Sequence, residues 1–156
     1  LDYYDQKNQK RFTPYVIETS VGLDRLTLMV LCDAYREEEV DGDSRTVLKL
    51  DPRLAPVQVG VFPLIKKPEL QEIAHKIDSD LREDYSVQYD ESGSIGKRYR
   101  RLDEAGTPFC ITVDFDGLED NTVTIRYRDD MNQERIAVDK IADVIRDGVK
   151  SWKVGD

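Results

Sequence analysis

"VQVGVFPLIKKPELQEIAHKIDSDL", residues 57–81, reads as a strand followed by a helix. Residues 57–64 form an apolar strand. Pro68 then opens the helix, because its fixed φ and missing N–H suit the first helical position. Leu70, Ile73, Ala74, Ile77 and Leu81 fall on one stripe of it. Downstream come a short strand at 86–90, the loop "ESGS" and a basic segment, "IGKRYRRLDEAG", at 95–106. Three further strands at 109–115, 122–128 and 134–138 are joined by "DGLEDN" and "DDMNQ", both rich in turn formers. A last helix starts near Asp139, a good N-cap, and shows Ile141, Val144, Ile145 and Val149 on one side. Five strands with three interleaved helices define an α/β class: a five-stranded mixed sheet flanked by helices.

Upstream the pattern changes. Over 14–20 it alternates, with Val16, Glu18 and Ser20 on one face of a predicted strand and Tyr15, Ile17 and Thr19 on the other. A helix over 22–38 follows. Leu23, Leu26, Leu28, Met29, Val30, Leu31 and Cys32 wrap nearly all round it, which predicts a buried helix. "EEEVDGDS" reads as a polar loop and "RTVLKLDPRLAP" as an extended connector, given Pro52 and Pro56. The domain boundary is placed there, giving units of 1–56 and 57–156.

Composition narrows the class. The 156 residues, 35% charged and 39% hydrophobic, suffice for one ordinary domain with some extra. No apolar run is long enough to span a bilayer, and the first residues lack a signal-peptide form, so a soluble, cytoplasmic protein is expected. Cys32 and Cys110 lie in apolar segments with no CxxC pair and a single histidine in the chain. Both are expected as buried thiols in a reducing compartment, with no metal site. A net charge of -9 argues against a nucleic-acid partner in bulk. Local distribution can overrule the sum: "GKRYRR" gathers Lys97, Arg98, Arg100 and Arg101 around Tyr99, and Arg126 and Arg128 flank Tyr127 on one predicted strand. Such segments either stack and hold single-stranded bases or pair with the local acids Asp103, Glu104, Asp129 and Asp130. "SGSIGK" is two residues short of a phosphate-binding Walker loop, and His75 has no triad or metal partner.

Asp24 and Arg25 stand in the first turn of the upstream helix, with Glu18 before it. Spacing alone favours a structural ion pair over a ligand site. "YVIETSVGLDR", however, resembles the third signature motif of class II aminoacyl-tRNA synthetases. "RTVLKLDPRLAPVQVGVFPL" and "QYDESGSIGKRYRRLDEAGTPFCITVDFDGLEDNTVTIRYRD" resemble the C-terminal part of the glycyl-tRNA synthetase family of the dimeric, eukaryote-like type. The resemblance runs from Tyr15 onward and implies a C-terminal fragment: the end of a catalytic domain up to about Pro56, then an anticodon-binding domain. It implies that Arg25, the candidate catalytic residue, meets the ATP γ-phosphate with Gly22 passing beneath the nucleotide, and that Glu18 and Ser20 hold glycine. Thr19 stands where many relatives have Pro. It further implies ATP with Mg2+ as substrate, tRNA(Gly) and glycine as partners, a homodimeric parent, no membrane and no DNA. The fragment alone is expected to be inactive and to bind no cofactor tightly. Anticodon contacts are expected from Lys97, Arg98, Arg101, Glu119, Arg126 and Arg128. The alternative is a non-catalytic synthetase-like RNA-binding accessory protein, against which the presence of Glu18, Ser20 and Arg25 argues.

Overall fold

The structure is a computed structural model that describes residues 2–40 and 42–153. Its centre is a five-stranded mixed sheet of β5 (Val59–Pro63), β6 (Val87–Tyr89), β7 (Phe109–Val113), β8 (Thr122–Tyr127) and β9 (Gln133–Ala137), in the order β6-β5-β7-β8-β9. β5 pairs in parallel with both β6 and β7, whereas β7-β8 and β8-β9 are antiparallel. All five residues of β5 and of β7 are buried, as expected for parallel strands covered on both faces. α2 (Pro68–Leu81) and α5 (Ile141–Ser151) cover one face. Leu70, Ala74, Ile77, Ile141 and Ile145 pack there against Val59, Val61, Ile111, Val123 and Ile125.

The basic segment forms α3 (Ile95–Ala105) and covers the opposite face, where Leu102 joins Phe62 and Cys110. Gly60 makes this approach possible: a Cβ there would lie 2.3 Å from Leu102 Cδ1. α3 ends on Gly106 in the left-handed region (φ 82°), which a residue with a side chain adopts at a cost. A short helix, α4 (Asp116–Asp120), links β7 to β8. The last helix starts two residues later than its predicted cap, because Val138–Lys140 forms a 3-10 turn first.

The N-terminal third departs from the sequence expectations. A small hairpin, β1 (Tyr3–Asp5) with β2 (Lys10–Phe12), comes first. The predicted strand over 14–20 is not formed: residues 13–22 have no regular structure, and Tyr15 and Ile17 are fully exposed. A strand exists only by pairing, and no described segment pairs with this one. The next helix, α1 (Leu23–Ala34), stops four residues short of expectation and buries only Ala34. What was read as helix end, polar loop and connector is instead a hairpin of β3 (Tyr35–Val40) and β4 (Asp43–Leu48), which sets Glu38 opposite Arg45. Cys32 is exposed, contrary to expectation, because it sits on uncovered α1, while Cys110 is buried in β7. Among the described residues no helix is long and apolar enough to cross a membrane.

Candidate nucleic-acid interface

In an open sheet with parallel strands, the turns leaving the carboxyl ends collect the side chains that meet a ligand. At this edge β5 exits into Leu64 to Lys67, β6 into Asp90 to Gly93 and β7 into Asp114 and Phe115. Phe115 stands at the N-cap position of α4 and is 39% exposed, with Leu118 exposed on α4 and Ile65 in the neighbouring turn. Lys67 Nζ stands 4.7 Å from the centre of the Phe115 ring. Lys66 is 60% exposed and reaches Glu91 at 3.5 Å. Glu91 also accepts hydrogen bonds from Gln71 Nε2 (2.7 Å) and the Tyr89 hydroxyl (2.9 Å), which hold its carboxyl below the usual range. This edge offers an aromatic ring and exposed cations, the parts needed to stack a single-stranded base and hold its phosphates.

The residues singled out from sequence divide sharply. Lys97 lies exposed in the first turn of α3, next to Gly93. Arg101, one turn on, pairs with Asp90 and donates to Ser92 O (2.9 Å) while staying partly exposed. Burial pushes the Asp90 carboxyl up, but Arg101 and Ser92 outweigh it and the pKa is lowered. Glu119 is exposed on α4, near Phe115. These three border the carboxyl edge.

The other three arginines point inward. Arg98 is 2% exposed and donates to Pro63 O (2.6 Å) and Gly93 O (2.9 Å), bracing two of the edge turns from below. Arg126 makes a two-pronged contact with Asp103 (2.8 and 3.0 Å), and its guanidinium lies 4.7 Å from the Tyr99 ring. Burial disfavours its charge, yet the hydrogen bonds and field of Asp103 prevail and its pKa is raised. Arg128 donates to Asp129 (2.7 Å) and Gly106 O (2.8 Å). Acid pairing thus describes Arg126 and Arg128, although the Arg126–Asp103 pair is buried and only Asp129 of the Arg128 pair reaches solvent. Sequence could not show this: alternation along 122–128 puts both arginines on one face without telling that α3 and its C-terminal turn cover that face.

Glu18, Ser20, Gly22 and Arg25 all lie in one exposed run leading into the first turn of α1. Arg25 makes no ion pair with Glu18 or Asp24 among the described residues. Phe115, Lys66 and Lys67 were missed by the sequence reading. Their signal was positional, an aromatic and two lysines each within four residues after a buried strand. His75, taken as solvent-facing, is exposed but stacks on Tyr89 with ring centres 4.1 Å apart.

The fold and this edge define an open-sheet α/β module with its ligand-facing turns at the carboxyl ends. Residues 58–148 match the family described as "Anticodon binding domain", and the chain belongs to that family. It is also similar to proteins named glycine–tRNA ligase. It is 52% identical to one from Borreliella afzelii (strain PKo) over 98% of this chain and 35% of that protein. A second, from Bifidobacterium longum (strain NCC 2705), is 54% identical over 99% and 33%. A third, from Streptomyces coelicolor, is 53% identical over 90% and 32%. The chain therefore spans about a third of the length of these curated relatives.

Proposed function

We propose that this chain is the C-terminal part of a glycine–tRNA ligase, divided near Pro56, and that its sheet unit binds the anticodon arm of tRNA(Gly). The supporting observation is the carboxyl edge, where Phe115 under Lys67 gives a stacking surface, Lys66, Lys97 and Arg101 in the other turns of the edge give cations for phosphates, and Glu119 on α4 gives an acceptor for a base edge. Arg98 braces this edge from beneath through Pro63 O and Gly93 O, whereas Arg126 and Arg128 lie at the opposite end of the sheet, against Asp103 and Gly106.

In the parent enzyme, a cytoplasmic homodimer, the glycine carboxylate attacks the ATP α-phosphate in line and displaces pyrophosphate, and a hydroxyl of the terminal ribose of the tRNA then attacks the adenylate's carbonyl carbon, releasing AMP. Positioning and charge neutralisation carry such a step, without a protein base. Arg25 offers a planar fork to the γ-phosphate at a helix N-terminus whose free N–H groups already favour anions. Gly22, without a Cβ, lets the chain pass close beneath the nucleotide. Glu18 takes the glycine ammonium and Ser20 lines the pocket. Mg2+ enters with ATP as part of the substrate. Among the described residues no group of three or more His, Cys, Asp or Glu side chains is placed to hold a metal ion.

Titration with anticodon stem-loops at fixed salt tests the reading. The glycine loop is expected to bind better than one with its last two anticodon letters changed. Phe115→Ala is expected to weaken binding by about tenfold, the size of one lost base stack. Equal binding of both loops would remove sequence reading, and an unchanged Phe115→Ala would remove the stacking surface.

A further inference from the structure

α3 is a single rod of about 16 Å. It bears Lys97 and Arg101 toward the carboxyl edge at one end and Asp103 and Gly106 at the other. At that second end the rod meets the N-terminal third. Arg45, in β4, is 5% exposed, and its three nitrogens are all used: Nε to Asp103 (3.0 Å), Nη1 to Glu38 (2.6 Å) and Nη2 to Arg128 O (2.5 Å). Asp103, 1% exposed, accepts from Arg45 and Arg126 together. Glu38 is held in turn by Lys49 Nζ (2.8 Å), and Lys49 N donates to Ala34 O, the last residue of α1, at 2.7 Å. Next to the ions the backbones nearly touch. A Cβ on Gly106 would lie 2.8 Å from Leu50 Cδ1 and 3.1 Å from Leu48 O. A continuous path of contacts, partly exposed at Lys49 and Glu38 and buried from Arg45 inward, therefore leads from α1 through the β3-β4 hairpin and Asp103 to α3 and the sheet.

Buried ion clusters contribute little net stability compared with apolar packing, but they fit in only one arrangement. A guanidinium with three fixed acceptors resists rotation and sliding more than an apolar contact would. We propose that Arg45 and Asp103 are positioning residues: they lock the β3-β4 hairpin, and with it the α1 helix that begins beside the proposed ATP site, at a fixed orientation to the RNA-facing edge. This rests on the ligase reading for its purpose, since a ligase must hold the anticodon and the terminal ribose of one tRNA at once. The joint itself is a statement about this chain.

Spin labels on cysteines placed at Ser44 in the hairpin and Lys76 on α2, both exposed, with Cys32→Ser, report the joint directly. The parent sequence is expected to give one narrow distance. Arg45→Met, which leaves the Asp103–Arg126 pair intact, is expected to give a broad or divided distribution while circular dichroism shows the sheet unit still folded. Arg45→Lys, which keeps the charge and loses the fork, should fall between them. A broad distribution in the parent, or an Arg45→Met distribution as narrow as the parent's, overturns the joint. Glycine stem-loop affinity should stay within about twofold in Arg45→Met, since the carboxyl edge is untouched. If the parent chain itself fails to bind the loop, the functional reading falls while the distances still decide the joint. In a ligase carrying this segment, Arg45→Met should lower kcat/KM for tRNA charging by roughly tenfold to a hundredfold. Pyrophosphate exchange without tRNA should be unchanged, and equal loss in both reactions would refute a positioning role.

Discussion

Helices α5 and α1 are nearly the same length, eleven and twelve residues, yet they end in opposite surroundings. α5 places Ile141 and Ile145 against the sheet and keeps its charges outside. α1 leaves Leu23 76%, Leu28 62% and Met29 60% exposed and buries Ala34 alone. An amphipathic stripe asks for one neighbour, which five strands of the same chain provide. A helix apolar all round asks for neighbours on every side, and the described residues cover one. Hydrophobicity therefore predicts what a segment needs, not whether its own chain supplies it.

Truncations at the two sites break or sharpen that contrast most strongly. Ile125 is fully buried between the layers, and Ile125→Ala should lower stability by about 2–5 kcal/mol in urea unfolding, through lost transfer energy and the cavity left behind. Leu23→Ala should change it by no more than about 0.5 kcal/mol. A comparable loss at Leu23 would show that the α1 surface is covered in solution, by a second copy or another partner.

How much of this was legible follows the same division. The five strands and α2 could be read because their boundaries carry local chemistry: Pro68 opens a helix, and "DGLEDN" ends in Asn121, which adopts the left-handed conformation (φ 52°) that a tight turn needs. The β3-β4 hairpin was not legible. Glu37, Glu38 and Glu39 show no apolar alternation, and what fixes them as strand is Glu38 facing Arg45, itself anchored on Asp103 58 residues away. The candidate site suffered likewise. Positive charge could be counted, but the depth of Arg98, Arg126 and Arg128 depends on where α3 lies over the sheet.

The joint between the regions also carries a pH signature. Burial pushes the Glu38 carboxyl up, but Lys49 and Arg45 outweigh this, so its pKa is lowered from the usual 4.5. A depressed carboxyl pKa adds stability that is fully present above the unfolded value and is lost as pH falls through the folded one. The urea midpoints of the parent and Glu38→Gln should therefore differ at neutral pH and converge as pH drops below 4.5. Midpoints whose difference does not shrink at all as pH falls would mean that Glu38 acts through shape rather than charge.

Thiol chemistry separates the regions with the smallest disturbance. Cys32 on exposed α1 and Cys110 in buried β7 are both free. Burial pushes the Cys110 thiol up to about 12, whereas nucleophilic attack requires thiolate, so Cys110 is protected both by access and by ionisation. One of the two thiols should react at once with a disulfide reagent near pH 8, and the second only at the rate at which the sheet opens. That second rate should rise in Ile125→Ala, which lowers the free energy of opening, and should not change in Leu23→Ala. Fast reaction of both thiols in the parent chain would place β7 in a region that opens locally, and the contrast between a closed sheet and an open helix would then fail at its closed end.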